Sequence, residues 1–111
     1  MKRFLLLLLA VCGAHAAPIH PAYAEKIADA IYRVEGGARA RVPYGVLSVK
    51  VDGAGEARRV CLRSIANNWA RWEQAGQPDD FIHFMADRWC PPSVDPVGNR
   101  NWKKNMKALI K

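Results

Sequence analysis

Two adjacent glycines, Gly36 and Gly37, cut the first helical period of this chain and limit what it can fold into. Upstream of them Ile27, Ile31 and Val34 recur at spacings of four and three, with Ala24, Ala28 and Ala30 among them. That is the period of a helix with one apolar face, and the alanines allow close packing. Glu25, Lys26, Asp29 and Arg33 fill the other face. A glycine pair after such a run is a C-terminal stop signal. The spacing therefore predicts a helix from about Ala22 that ends at Glu35.

The same logic divides the rest. From Glu56 a long helical pattern runs to Ala75 and stops at Gly76, with Val60, Ile65, Trp69 and Trp72 on its stripe. Pro78 is placed to open a short helix, Asp79 and Asp80 to complement its dipole, and Cys90-Pro91-Pro92 to end it. Asn99 or Asn101 is expected to cap a last helix whose apolar face carries Trp102, Met106, Leu109 and Ile110. Between the first two helices, Val46 to Val51 has β-like composition before the turn Asp52-Gly53. It reads as a strand-like excursion or half a hairpin, an irregular extended segment, or a short helix. No repeat or internal domain boundary is visible. The fold class expected is mainly α: a small helical domain with a short extended segment.

The first sixteen residues read as a separate unit. Lys2-Arg3 is a basic start, Phe4 to Val11 an unbroken apolar run, and Ala14-His15-Ala16 an A-x-A cleavage site. Residues 1–16 are thus expected to be a secretory signal peptide, 17–21 a linker and 22–111 the domain. The apolar run is too short for a permanent span. Cys12 follows Val11, where a lipid-acceptor site wants a small residue, so no stable membrane anchor is expected. The expected location is periplasmic or secreted.

Of the 111 residues, about 95 remain after cleavage. Removing Lys2 and Arg3 from 17 basic residues leaves 15 against 10 acidic ones, a net charge of +5. Outside the cytoplasm, a basic protein meets anionic envelope polymers, lipid head groups or glycans. Nucleic acid is a poor fit to export. Cys61 and Cys90 are the two remaining cysteines, and in an oxidising compartment the pair reads as one disulfide. It would close a loop of about 30 residues and contribute on the order of 3–4 kcal/mol, which matters in a domain with a marginal core. No CxxC or HxxxH spacing points to a metal, and no cofactor is implied.

Glu35 sits where an acid is mildly unfavourable, because a helix C-terminus carries partial negative charge. A solvated surface glutamate tolerates this. A partly buried carboxyl is driven toward its protonated form, the state a general acid requires. Glu35-Gly36-Gly37 followed by Tyr44-Gly45-Val46-Leu47 resembles the lysozyme-like superfamily, in particular lytic transglycosylases and phage-type muramidases. In that group a glutamate ends a helix, and a Gly-apolar-apolar-Gln element then lines the cleft; Ser48 stands where many members have glutamine. The resemblance covers about Glu35 to Ser48.

It implies an exported enzyme that cleaves β-1,4 bonds of peptidoglycan with Glu35 as its single acid/base. The glutamate protonates the leaving oxygen, then takes the proton of the sugar's own 6-hydroxyl as an anhydro ring closes. Most glycosidases need two carboxylates; Asp52 is the nearest second candidate, in a turn context. Tyr44, Gly45, Ser48, Asn68 and Arg39 are the expected substrate-side residues. Tyr44 is placed to bond substrate or to orient Glu35, Gly45 to let backbone approach the sugar, Ser48 as a polar cleft residue, one of Asn67 and Asn68 to face the cleft, and Arg39 to hold anionic stem peptides. Trp69 and Trp72 have core spacing, with sugar stacking as the alternative. The competing reading is a non-catalytic module that binds envelope glycan or protein. A half-buried Glu35 against the Tyr44 loop favours catalysis; a Glu35 locked to Arg39 or Arg41 favours binding.

Overall fold

The structure, a computed structural model, describes residues 17–45 and 53–111. Residues 1–16, where the expected leader and cleavage site fall, lie outside the described residues, as do Ser48, Asp52 and the β-like run from Val46 to Val51. Four helices carry the fold: α1 (Pro21–Val34), α2 (Gly53–Gln74), α3 (Phe81–Trp89) and α4 (Pro96–Ile110). Two single 3-10 turns, Gly37–Arg39 and Pro43–Gly45, join α1 to the undescribed stretch. There is no strand among the described residues.

Helix α1 starts at Pro21, whose missing N–H costs nothing there. The Nδ1 of His20 accepts from the Ala22 amide and caps it. The helix packs on α2 and α4, and α3 closes the bundle against the same two helices. Ile27 and Ile31 from α1, Cys61 and Ile65 from α2, Met85 from α3 and Met106 from α4 are the largest fully buried side chains. One aromatic cluster extends this core: Trp69 meets Tyr23 at 6.2 Å and Phe81 at 4.9 Å, and Trp72 meets Trp69 at 4.7 Å. The indole N–H of Trp69 donates to the Ala17 carbonyl and that of Trp72 to the Pro78 and Asp79 carbonyls. Both tryptophans are packing residues.

Three helix starts differ from the sequence expectation. Helix α2 begins at Gly53, three residues ahead of Glu56, so Gly53-Ala54-Gly55 belong to the helix. Helix α3 begins at Phe81 and not at Pro78. Asp79 has φ +60°, a left-handed conformation that breaks a helix, and the Asp80 carboxylate accepts from the His83 amide as the cap. Helix α4 begins at Pro96, capped by Asp95, whose carboxylate accepts from the Gly98 amide at 2.8 Å. Asn99 lies inside the helix and is buried. Its Nδ2 donates to the Cys90 carbonyl at 2.8 Å and to Asp87 at 3.1 Å, which satisfies the end of α3 from the start of α4.

The expected disulfide is a correction. Cys61 and Cys90 are free thiols. Cys61 is fully buried on the inner face of α2, and burial first, with Glu35 adding and Arg58 opposing, pushes its thiol up to about 12. Cys90 is half-buried beyond the end of α3, its amide donating to Ala86 at 2.8 Å and its carbonyl taken by Asn99. The side-chain amide of Asn99, not a sulfur bridge, ties this corner.

Candidate active site

The end of α1 builds the site. The amide of Glu35 donates to the Ile31 carbonyl at 2.9 Å, so Glu35 is still held by the last turn. Gly36 follows at φ +114°, a conformation that a side chain at this position would strain. The chain then reverses through the two 3-10 turns and returns toward the carboxylate it has just left.

The return is fixed by an unusual pair. Tyr44 and Gly45 are both left-handed, at φ +60° and +65°. For tyrosine this costs roughly 1–2 kcal/mol. The ring is buried and sits 5.1 Å from the ring of Tyr32. Its hydroxyl accepts from the Nη1 of Arg58 at 2.9 Å. Arg58 in turn pairs with Glu25 and, at 3.0 Å, with Asp29 on α1. These bonds, the one to Glu25 first, hold the guanidinium well above its usual range of protonation. Helices α1 and α2 thus clamp Tyr44 from both sides.

The clamp presses Gly45 onto Glu35. A Cβ at Gly45 would stand 2.7 Å from the Oε1 of Glu35 and 2.8 Å from its carboxyl carbon. A side chain at this position would displace the carboxylate or strain the turn. On the other side Oε2 accepts from the indole N–H of Trp102 at 3.1 Å, a contact spanning 67 positions of sequence. The Trp102 ring is itself buried and stacked on Trp89 at 6.1 Å. Glu35 is half-buried. Among the described residues no lysine or arginine pairs with it. The thiols of Cys61 and Cys90 are near enough to feel its charge, which adds to the effect of burial in raising both.

The expected site residues fare differently. Gly45 does meet Glu35. Tyr44 is not a cleft residue: its ring is buried and Arg58 occupies its hydroxyl, so it shapes the turn. Arg39 is exposed on the first 3-10 turn and does not lock Glu35. Asn68 is buried on α2, donating to the Ser64 carbonyl at 2.9 Å and accepting from Arg71 at 3.0 Å. It lies seven residues beyond Cys61, roughly 10 Å along the helix, and serves α2 itself. Ser48 lies outside the described residues.

Two contributors were not singled out from the sequence. Trp102 reads as one more apolar position, and its N–H gives no periodic signal. Arg58 reads as an outward charge of α2. Chemically, the arrangement offers one carboxyl oriented by a neutral donor, with its second oxygen against the backbone of Gly45 and no described lysine or arginine paired with it. A match to known proteins is lacking at every level: no family model, no curated protein and no solved structure matches this chain.

Proposed function

We propose that the protein is an exported peptidoglycan-cleaving glycosidase, a lytic transglycosylase acting on β-1,4 bonds between the amino sugars with Glu35 as its acid and base. The observation that carries this reading is the setting of Glu35: half-buried, unpaired by any described cation, and wedged between the Trp102 indole and the α-carbon of Gly45.

A neutral N–H donor fixes the carboxyl in place without neutralising it. The carboxyl gives its proton to the leaving glycosidic oxygen as the C1–O bond breaks. The resulting carboxylate takes the proton of the 6-hydroxyl on the same sugar, whose oxygen bonds to C1 and closes the anhydro ring. The proton inventory of Glu35 is restored, and no water or second carboxylate enters. The exposed Arg39 beside the site suits the carboxylates of stem peptides on the substrate.

The test is digestion of purified peptidoglycan by the protein and by Glu35→Gln, with products read by mass spectrometry. Anhydro-ended fragments from the wild type alone are expected. Reducing ends alone would replace transglycosylation with hydrolysis and require a second carboxylate. Binding of both proteins to the polymer with no release by either would overturn catalysis in favour of a binding module.

A further inference from the structure

The other end of α1 carries a different kind of site. A cavity of about 600 Å3 opens between the start of α1, the start of α3 and the end of α4. Its size falls within the range of small-molecule pockets. Tyr23, Phe81, Ile82, Ala108 and Ile110 give it an apolar lining. Phe81 and Ile82 are buried, and the Phe81 ring is held from behind by Trp69 and Trp72, so this floor is fixed by the core.

The rim is cationic. Lys104 and Lys107 line the cavity three residues apart on one face of α4, and Lys111, the residue just past its end, completes the row. The single acid in the lining is Asp80. It is already engaged, by Lys107 at 2.8 Å and by the His83 amide at 2.9 Å. Lys104 and Lys111 make no side-chain ion pair among the described residues. The cavity therefore pairs an apolar floor with two ammonium groups whose side chains make no ion pair among the described residues, and Lys26 donates to the main-chain oxygen of Lys111 at 3.1 Å.

A bare inorganic anion would gain nothing from that floor, and a neutral sugar would leave its hydroxyls unbonded against it. We infer that this cavity binds a single-chain anionic amphiphile, its alkyl chain laid over Phe81 and Ile82 and its carboxylate or phosphate head between Lys104 and Lys111. The site is independent of the Glu35 reading. Tyr23 and Glu35 lie at opposite ends of α1, roughly 18 Å apart along its axis.

The experiment is calorimetric titration of the protein with octanoate, decanoate and dodecanoate as monomers, with decan-1-ol as the neutral counterpart. Saturable one-to-one binding is expected, tightening roughly four-fold for each added methylene as more chain leaves water. Decan-1-ol should bind at least ten-fold more weakly than decanoate. The double substitution Lys104→Gln with Lys111→Gln, both exposed and unpaired, should weaken decanoate about ten-fold and leave decan-1-ol unchanged. Amide chemical-shift changes on adding decanoate should centre on Tyr23, Phe81 and Ile82. Absence of saturation, equal affinity for acid and alcohol, or an unchanged affinity in the double variant would each overturn the inference. So would association with anionic vesicles alone, without monomer binding.

Discussion

Glu35 and Asp80 are both carboxylates at helix ends, and their surroundings are opposites. Asp80 stands at a helix N-terminus, where partial positive charge favours it. Burial alone would raise its carboxyl, but the bonds from Lys107 and the His83 amide outweigh that and hold it below the usual carboxylate range. Glu35 stands at a helix C-terminus, with an indole as its donor and no described cation. One end of the molecule uses a carboxylate to build a helix. The other positions one where helix stability gains nothing from it. A fold tolerates such a placement when Tyr44, Arg58 and Gly45 are committed to supporting it.

Single substitutions should separate the two ends. The largest effect is expected on turnover. General acid–base groups contribute about 10²–10⁴-fold, so Glu35→Gln should lose at least about 100-fold in release of anhydro fragments while its melting temperature stays near the wild type. Asp80→Ala should do the reverse, keeping cleavage and losing about 1 kcal/mol as an N-cap is removed. If Asp80→Ala impaired cleavage as much as Glu35→Gln did, the contrast between the ends would collapse.

Next in size is Gly45→Ala. The new methyl would stand 2.7 Å from Oε1 of Glu35, at a φ of +65° that alanine disfavours. A loss of about 1–3 kcal/mol in chemical denaturation is expected, together with reduced cleavage, because either the carboxyl or the turn must move. Wild-type stability in this variant would mean that the loop is not seated on Glu35. Smaller still is Tyr44→Phe, which strips the acceptor from Arg58. The expected loss is about 1 kcal/mol, and the arginine keeps Glu25 and Asp29.

The helices were legible because periodicity and breakers act locally. Ile27, Ile31 and Val34 ahead of Gly36-Gly37 fix α1 to within a residue or two, and Gly76 marks the end of α2. The starts of α3 and α4 were misplaced for a local reason too: Asp80 and Asp95 compete with nearby Pro78 and Asn99 as signals, and side-chain bonds to the third residue onward decide. At the candidate site, the approach of Gly45 to Glu35 is readable from a short motif. Trp102, 67 positions away, is not, since a tryptophan on an apolar stripe looks the same whether or not its N–H has a partner. The cysteine pair misled because parity and compartment say nothing about where two sulfurs lie. Cys61 faces the core, and Asn99 holds the Cys90 backbone instead.

The smallest effect isolates charge from capping at the Asp80 end. Asparagine caps a helix nearly as well as aspartate, so Asp80→Asn removes the charge paired with Lys107 and keeps the bond to the His83 amide. The side chain is 42% exposed, so solvent screens the pair and a difference of only a few tenths of a kcal/mol is expected at neutral pH. Its pH dependence carries the sign. A carboxyl depressed in the folded state contributes stability above its unfolded value of about 3.9, and that contribution disappears as pH falls through the lower folded value. Melting temperatures of wild type and Asp80→Asn should therefore differ most from about pH 5 upward and converge as pH falls through the lowered folded value. Added salt should shrink the neutral-pH difference as well. A gap that persisted unchanged into acid would show that Asp80 acts here through hydrogen-bond geometry alone, and the contrast with Glu35 would then rest on helix position rather than on charge.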